Sequence, residues 1–137
     1  MKTKIQKVTN MLNTLLVMFM LIGPLHPTVA GDLAAGEKAM SRGQWAVAVV
    51  RFKEAIDSRI LTEPGYSMAY WNVHICSMKL GDKDGSAEAL LGFIVHTQNH
   101  IDWVEKYPVG DKYIKLFKMR ERLKIAARLL QTYWVEK

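Results

Sequence analysis

Apolar residues fall into two regimes along this chain of 137 residues: a nearly continuous run from Met11 to Ile22, and thereafter stripes at helical spacing. The stripes predict helices over 32–42 and 45–59, separated by Gly43-Gln44. In the second of these, Trp45, Ala48, Val49, Phe52, Ala55 and Ile56 follow the i, i+3, i+4, i+7 pattern of one buried face, leaving Arg51, Lys53, Glu54 and Asp57 to water. Glu63-Pro64-Gly65 reads as a stop, and a third helix is expected from Ser67, with Met68, Tyr70, Trp71, Val73, Ile75 and Met78 apolar, closed by Leu80-Gly81-Asp82. A fourth, from Ser86 to about Gln98, is expected to turn Ala87, Leu90, Leu91, Ile94 and Val95 inward. The stretch from His100 to Val109, with Trp103, Tyr107 and Pro108, reads as an irregular hinge. Beyond it, with Asp111 as N-cap, a final helix running to Trp134 would be about 36 Å long at the standard rise.

The first regime has a different meaning. Lys2, Lys4 and Lys7 precede the apolar run, Gly23 and Pro24 end it, and Thr28-Val29-Ala30 supplies small residues for cleavage. That is the layout of a secretory signal, expected to occupy residues 1–30 and leave a mature domain of 31–137, secreted or periplasmic. The run falls short of the roughly 20 residues a membrane-crossing helix needs. Its contact with the membrane would therefore be transient.

Export changes the charge balance. The whole chain carries 19 bases and 13 acids, but three of the bases leave with residues 1–30, so the mature excess is small. Residues 31–105 hold seven bases and ten acids, whereas 106–137 hold nine bases and three acids. A basic final helix suits an anionic surface or an acidic neighbour; nucleic acid is disfavoured as a partner of an exported chain. Cys76 is the single cysteine, so no intramolecular disulfide is available and packing must supply the stability. Flanked by Ile75 and Met78, it reads as a core residue.

The two hairpins place their turn glycines, Gly43 and Gly81, in equivalent positions, which suggests a helical repeat. Gly36, Ala39, Gly43, Trp45, Ala48, Phe52 and Ala55 resemble the signature of a tetratricopeptide repeat. In the second unit Tyr70, Val73, Leu80, Gly81 and Asp82 fit the same pattern, while His74 stands where a small residue is usual and Lys83-Asp84-Gly85-Ser86 is one residue longer than the family's turn. The expectation is an all-α fold: two tandem helix hairpins of an α-solenoid, capped by a C-terminal helix over about 110–134 that lays Tyr113, Leu116, Phe117, Leu123, Ala127, Leu130 and Trp134 on the second hairpin.

The resemblance also implies a binding surface. In that family the groove is lined by the first helix of each hairpin, which here places Glu37, Met40 and Ser41 in the first hairpin and Met68, Trp71, Ile75, Met78 and Lys79 in the second. Chemistry of other kinds finds little support. His96 and His100 have metal-ligand spacing but lack the Glu of a zinc protease motif, and Asp82-Lys83-Asp84-Gly85-Ser86 lacks the spaced oxygens of a calcium loop. His74 and Cys76, two apart on one helix, face different ways and make no nucleophile–base pair. No phosphate-binding loop, dinucleotide fingerprint or nucleophile elbow occurs. The reading is a non-catalytic adaptor without cofactor or metal that captures a peptide or protein on a concave helical surface. A structural subunit, or a protein that binds anionic surfaces through its basic final helix, is the alternative.

Overall fold

The computed structural model describes residues 29–107 and 110–135. These form five helices and, among the described residues, no strand: α1 Val29–Ser41, α2 Trp45–Asp57, α3 Glu63–Leu80, α4 Lys83–Lys106 and α5 Lys112–Val135. The segment assigned to a signal lies outside the described residues except for Val29 and Ala30, which open α1. No described helix is long and apolar enough to cross a membrane. Each helix packs on its sequence neighbour, α1 on α2, α2 on α3, α3 on α4 and α4 on α5.

The two glycine turns are built alike. Gly43 and Gly81 adopt φ of 70° and 73°, a left-handed conformation that glycine enters without steric penalty. At the first, Gln44 N–H donates to the Ala39 carbonyl at 2.9 Å and Gly43 N–H to that of Met40 at 3.0 Å. At the second, Asp82 donates to Ser77 at 2.9 Å and Gly81 to Met78 at 3.1 Å. Both turns thus satisfy the last carbonyls of the preceding helix in the same way. The α2–α3 junction lacks glycine, and Arg59 takes φ of 59° in its place.

Three expectations about helix limits need correction. Glu63-Pro64-Gly65 starts α3: Thr62 is the N-cap, its hydroxyl accepting from Gly65 N–H, and Pro64 sits in the first turn, where a missing N–H does no harm. Next, α4 starts at Lys83, capped by Asp82, whose carboxylate accepts from Gly85 N–H at 2.9 Å, and continues to Lys106 with no break at His100. Its buried stripe runs Leu90, Phe93, Thr97, Ile101 and Val104. The polar stretch His96-Thr97-Gln98-Asn99-His100 hides that continuity, because the inward member is Thr97, whose hydroxyl hydrogen-bonds Ser67 across to α3 at 3.1 Å. Finally, Asp111 precedes α5 with its carbonyl accepting from Lys115 N–H, but its φ of 56° is left-handed, not the extended conformation of an N-cap.

The core has three parts. Ala39, Ala48, Phe52, Ala69, Val73, Cys76 and Ala89 join α1 to α4, with Trp45, Val49 and Ile56 partly buried against them, much as the α2 stripe predicts. Small residues let the helices approach here, and Gly36 is the extreme case: a Cβ on it would lie 2.8 Å from the Phe52 ring. Gly92 stands in the same relation to Tyr70, where a Cβ would lie 2.4 Å from the ring. Leu90, Phe93 and Ala126, with Trp71, Leu130 and Tyr133, form the second part, and Ile101, Val104 and Leu116, with Met119 and Leu123, the third.

Two inward faces match expectation in part: Leu90 and Ile94 on α4, and Leu116, Leu123 and Leu130 on α5, pack inward as expected, whereas other members are rotated. On α4, Leu91 and Val95 are exposed while Ala89, Leu90 and Phe93 are buried. On α5, the stripe turned inward is Leu116, Met119, Leu123, Ala126, Leu130 and Tyr133; Tyr113, Phe117, Ala127 and Trp134 face water. The helix carries two apolar stripes of comparable strength, so spacing alone does not choose between them.

Candidate functional site

An apolar cleft lies where α3 and α5 flank α4. It has a volume of about 390 Å³ and is lined by Pro64, Ser67, Met68 and Trp71 from α3, Phe93, Thr97 and His100 from α4, and Met119, Arg122 and Ile125 from α5. Trp71 and Phe93 form its inner wall, their rings 5.0 Å apart and tilted by 50°. Met68 and Ile125 stand at its mouth, 40% and 50% exposed, so each has surface to offer an incoming side chain.

The polar groups of the cleft are few. Ser67 and Thr97 satisfy each other. Burial holds the His100 imidazole below its ordinary range; the carboxylate of Glu63 opposes this and the ammonium of Lys115 adds to it. Arg122 makes no ion pair among the described residues and is exposed. An apolar wall with one uncommitted guanidinium at its edge suits an apolar side chain next to a carboxylate. A second hollow, of about 450 Å³ beside Glu105, Tyr113, Phe117 and Arg120, is less suited to capture: Arg120 and Lys112 there are already tied to the Glu105 carboxylate and carbonyl.

A polar chain adds to the apolar packing that holds α3, α4 and α5 in place around the cleft. His74 Nδ1 and Ser86 Oγ are 2.7 Å apart, and Ser86 Oγ and Tyr133 OH 2.8 Å. His74 and Ser86 are fully buried, so this chain of three ties the helices together and is closed to substrate. Burial pushes the His74 imidazole below its ordinary range, and its Nε2 has no hydrogen-bond partner. The residue that departs from the repeat pattern therefore acts as an interhelix pin. Burial also raises the Cys76 thiol, which lies wholly within the core. On another side of α4, His96 Nδ1 meets Glu63 Oε2 at 2.5 Å, and its ring stacks on Tyr66 at 4.4 Å. Among the described residues no three His, Cys, Asp or Glu side chains are grouped to hold a metal ion.

Of the eight residues assigned to the groove from sequence, the cleft brings together Met68 and Trp71. Ile75 and Met78 follow on the same stripe of α3, half-buried and exposed, beyond the cleft's lining. Lys79 lies elsewhere, its ammonium 5.9 Å from the centroid of the Trp45 ring. On α1, Glu37 is exposed, Met40 packs against the core, and Ser41 is exposed with its hydroxyl donating to the Lys38 carbonyl at 2.8 Å. Those three do not join the cleft. Missed from the sequence were the contributions of α4 and α5: Leu116, Leu123 and Leu130 are legible as inward, but Met119 and Ala126, which complete that stripe and place Arg122 and Ile125 at its border, are not.

Comparison with known proteins finds no matching family model, no matching characterised protein and no matching solved structure. The class is therefore defined by what the residues build: an all-helical chain with an apolar cleft between its third and fifth helices.

Proposed function

We propose that this protein is an exported, non-catalytic adaptor of tetratricopeptide-like design, which captures a peptide or protein segment by seating one of its apolar side chains in the α3–α5 cleft. In this reading α1 with α2 and α3 with α4 are the tandem hairpins of a short solenoid, and α5 both caps the stack and forms the far wall of the groove. The observation that carries the proposal is the cleft itself, walled by Trp71 and Phe93, with Met68 and Ile125 half-exposed at the mouth and Arg122 unpaired at the edge. Burial of an apolar anchor would supply affinity and the guanidinium would select a neighbouring carboxylate. The matching turns at Gly43 and Gly81 and the packing of each helix on its neighbour support the repeat design.

The test is a selection of displayed peptides on the immobilised protein, followed by fluorescence anisotropy of a selected peptide against parent and variants. Met68→Ser with Ile125→Ser should weaken binding by about 2 kcal/mol, roughly thirtyfold. Arg122→Glu should remove the preference for peptides bearing a carboxylate. Melting should change little, because all three side chains are exposed. Unchanged affinity in these variants would refute the cleft as the capture site. Trp71→Ala is the poorer probe, since Trp71 also packs in the core with Leu90 and Phe93.

A further inference from the structure

The face of α5 turned away from the core is not an ordinary solvated face. Ile114, Phe117, Lys118, Glu121, Ile125, Arg128 and Val135 are related by steps of three, four or seven residues, so they share one stripe. The apolar members are well exposed, Ile114 at 58%, Phe117 at 67%, Ile125 at 50% and Val135 at 80%, and Tyr113 beside them reaches 85%. Exposed branched and aromatic side chains in such a row are costly to leave in water and mark an interaction surface.

Charge indicates what covers it. Within 112–135 there are seven bases and one acid. Lys112 and Arg120 are tied to Glu105, and Lys124 to Glu121. Lys115, Lys118, Arg122 and Arg128 have no ion pair among the described residues, so positive charge stands uncompensated along the helix. A second copy meeting this face symmetrically would bring bases against bases. The apolar tips are also interleaved with those bases instead of being gathered into one desolvated centre, as a protein hot spot requires. A lipid layer accepts this arrangement: apolar tips enter the acyl boundary while lysine and arginine stems reach up to the headgroups.

We propose that the outer face of α5 is a second binding surface, distinct from the cleft, which lays the protein on an anionic lipid bilayer. Binding would combine screened attraction by Lys118 and Arg128 with shallow insertion of Ile114 and Phe117, parallel to the surface and without spanning it, Ile125 lying on the border with the cleft.

Co-sedimentation of the full-length protein with phosphatidylglycerol-containing vesicles, against pure phosphatidylcholine vesicles, tests this directly. The expected result is markedly stronger binding to the anionic vesicles, weakened but not abolished when salt is raised from low to high ionic strength. Phe117→Ser with Ile114→Ser, and separately Lys118→Glu with Arg128→Glu, should each reduce binding at least about tenfold. Val47→Ser with Val50→Ser, exposed apolar positions on α2, should leave it unchanged. Any membrane affinity of the N-terminal segment, with its apolar run and Lys2, Lys4 and Lys7, is common to every variant, so the difference between parent and variants isolates α5. Equal binding to both vesicle types, α5 variants that match the parent, or a concentration-dependent dimer in light scattering that these variants abolish would each overturn the proposal.

Discussion

Replacing Gly36 by alanine should destabilise the parent chain yet stabilise a chain whose Phe52 has been shortened. A Cβ built on Gly36 lies 2.8 Å from both Cε1 and Cζ of Phe52 and 3.0 Å from its Cδ1. The ring is fully buried in one cluster with Ala39, Ala48, Ala69 and Val73. Overpacking of this kind costs about 1–3 kcal/mol, offset in the parent by the roughly 1 kcal/mol that alanine gains over glycine in a helix, so the net loss is up to about 2 kcal/mol. Leucine lacks the ring's ε and ζ carbons, so in the Phe52→Leu background the added methyl fills part of the space vacated. There the ordinary helical preference for alanine over glycine, about 1 kcal/mol, decides the sign. Urea denaturation followed by circular dichroism at 222 nm, on the parent, both single variants and the double variant, gives the coupling between the two sites. We expect Gly36→Ala to lower the midpoint in the parent and to raise it in the leucine background. Equal shifts in both backgrounds would refute the packing of α1 on α2 described above.

Three further outcomes follow from the same structure. Burial lowers the titration of both His74 and His100 in the folded chain relative to the ordinary 6.5 of the unfolded one. Below that pH the unfolded state takes up protons first, so urea midpoints should fall as pH drops from about 6.5 to 5. His74→Gln with His100→Gln should flatten that slope, although it lowers the midpoint at neutral pH. Arg59→Gly should raise stability by up to about 1 kcal/mol, because glycine relieves a left-handed residue at the α2–α3 junction, where φ is 59°. A chain ending before Lys112 should aggregate or bind a hydrophobic dye, since Leu90, Phe93 and Trp71 lose Ala126, Leu130 and Tyr133; a monomeric, dye-silent truncation would show that α5 is dispensable to the core.

The sequence made the helices of this fold readable wherever an apolar stripe was unopposed. Residues 45–59 declare α2 because small and aromatic residues fall on one face and charges on the other, and Gly43 and Gly81 mark their turns because both need φ above zero. Reading failed where polar residues do core work or where two stripes compete. Thr97 and Ser67 join α3 to α4 by a hydrogen bond within an otherwise apolar stripe, so α4 looks broken where it is continuous. Pro64 looks like a stop because proline is disruptive inside a helix, yet Thr62 two residues before it supplies the cap that makes it a start. On α5 the outer stripe of Tyr113 and Phe117 rivals the inner one of Met119 and Leu123, and only packing against α4 separates them. That rotation also moved the far wall of the cleft: Met68 and Trp71 are legible as groove residues, Arg122 and Ile125 are not.

Capture in the α3–α5 cleft is tested most directly by mapping amide and methyl chemical-shift changes while a selected peptide is titrated into the labelled protein. The account predicts saturable changes centred on Ser67, Met68, Thr97, His100, Met119, Arg122 and Ile125, abolished by Met68→Ser with Ile125→Ser. Changes centred instead on Glu37, Met40 and Ser41 of α1, or on Ile114 and Phe117 of the outer α5 face, would contradict it.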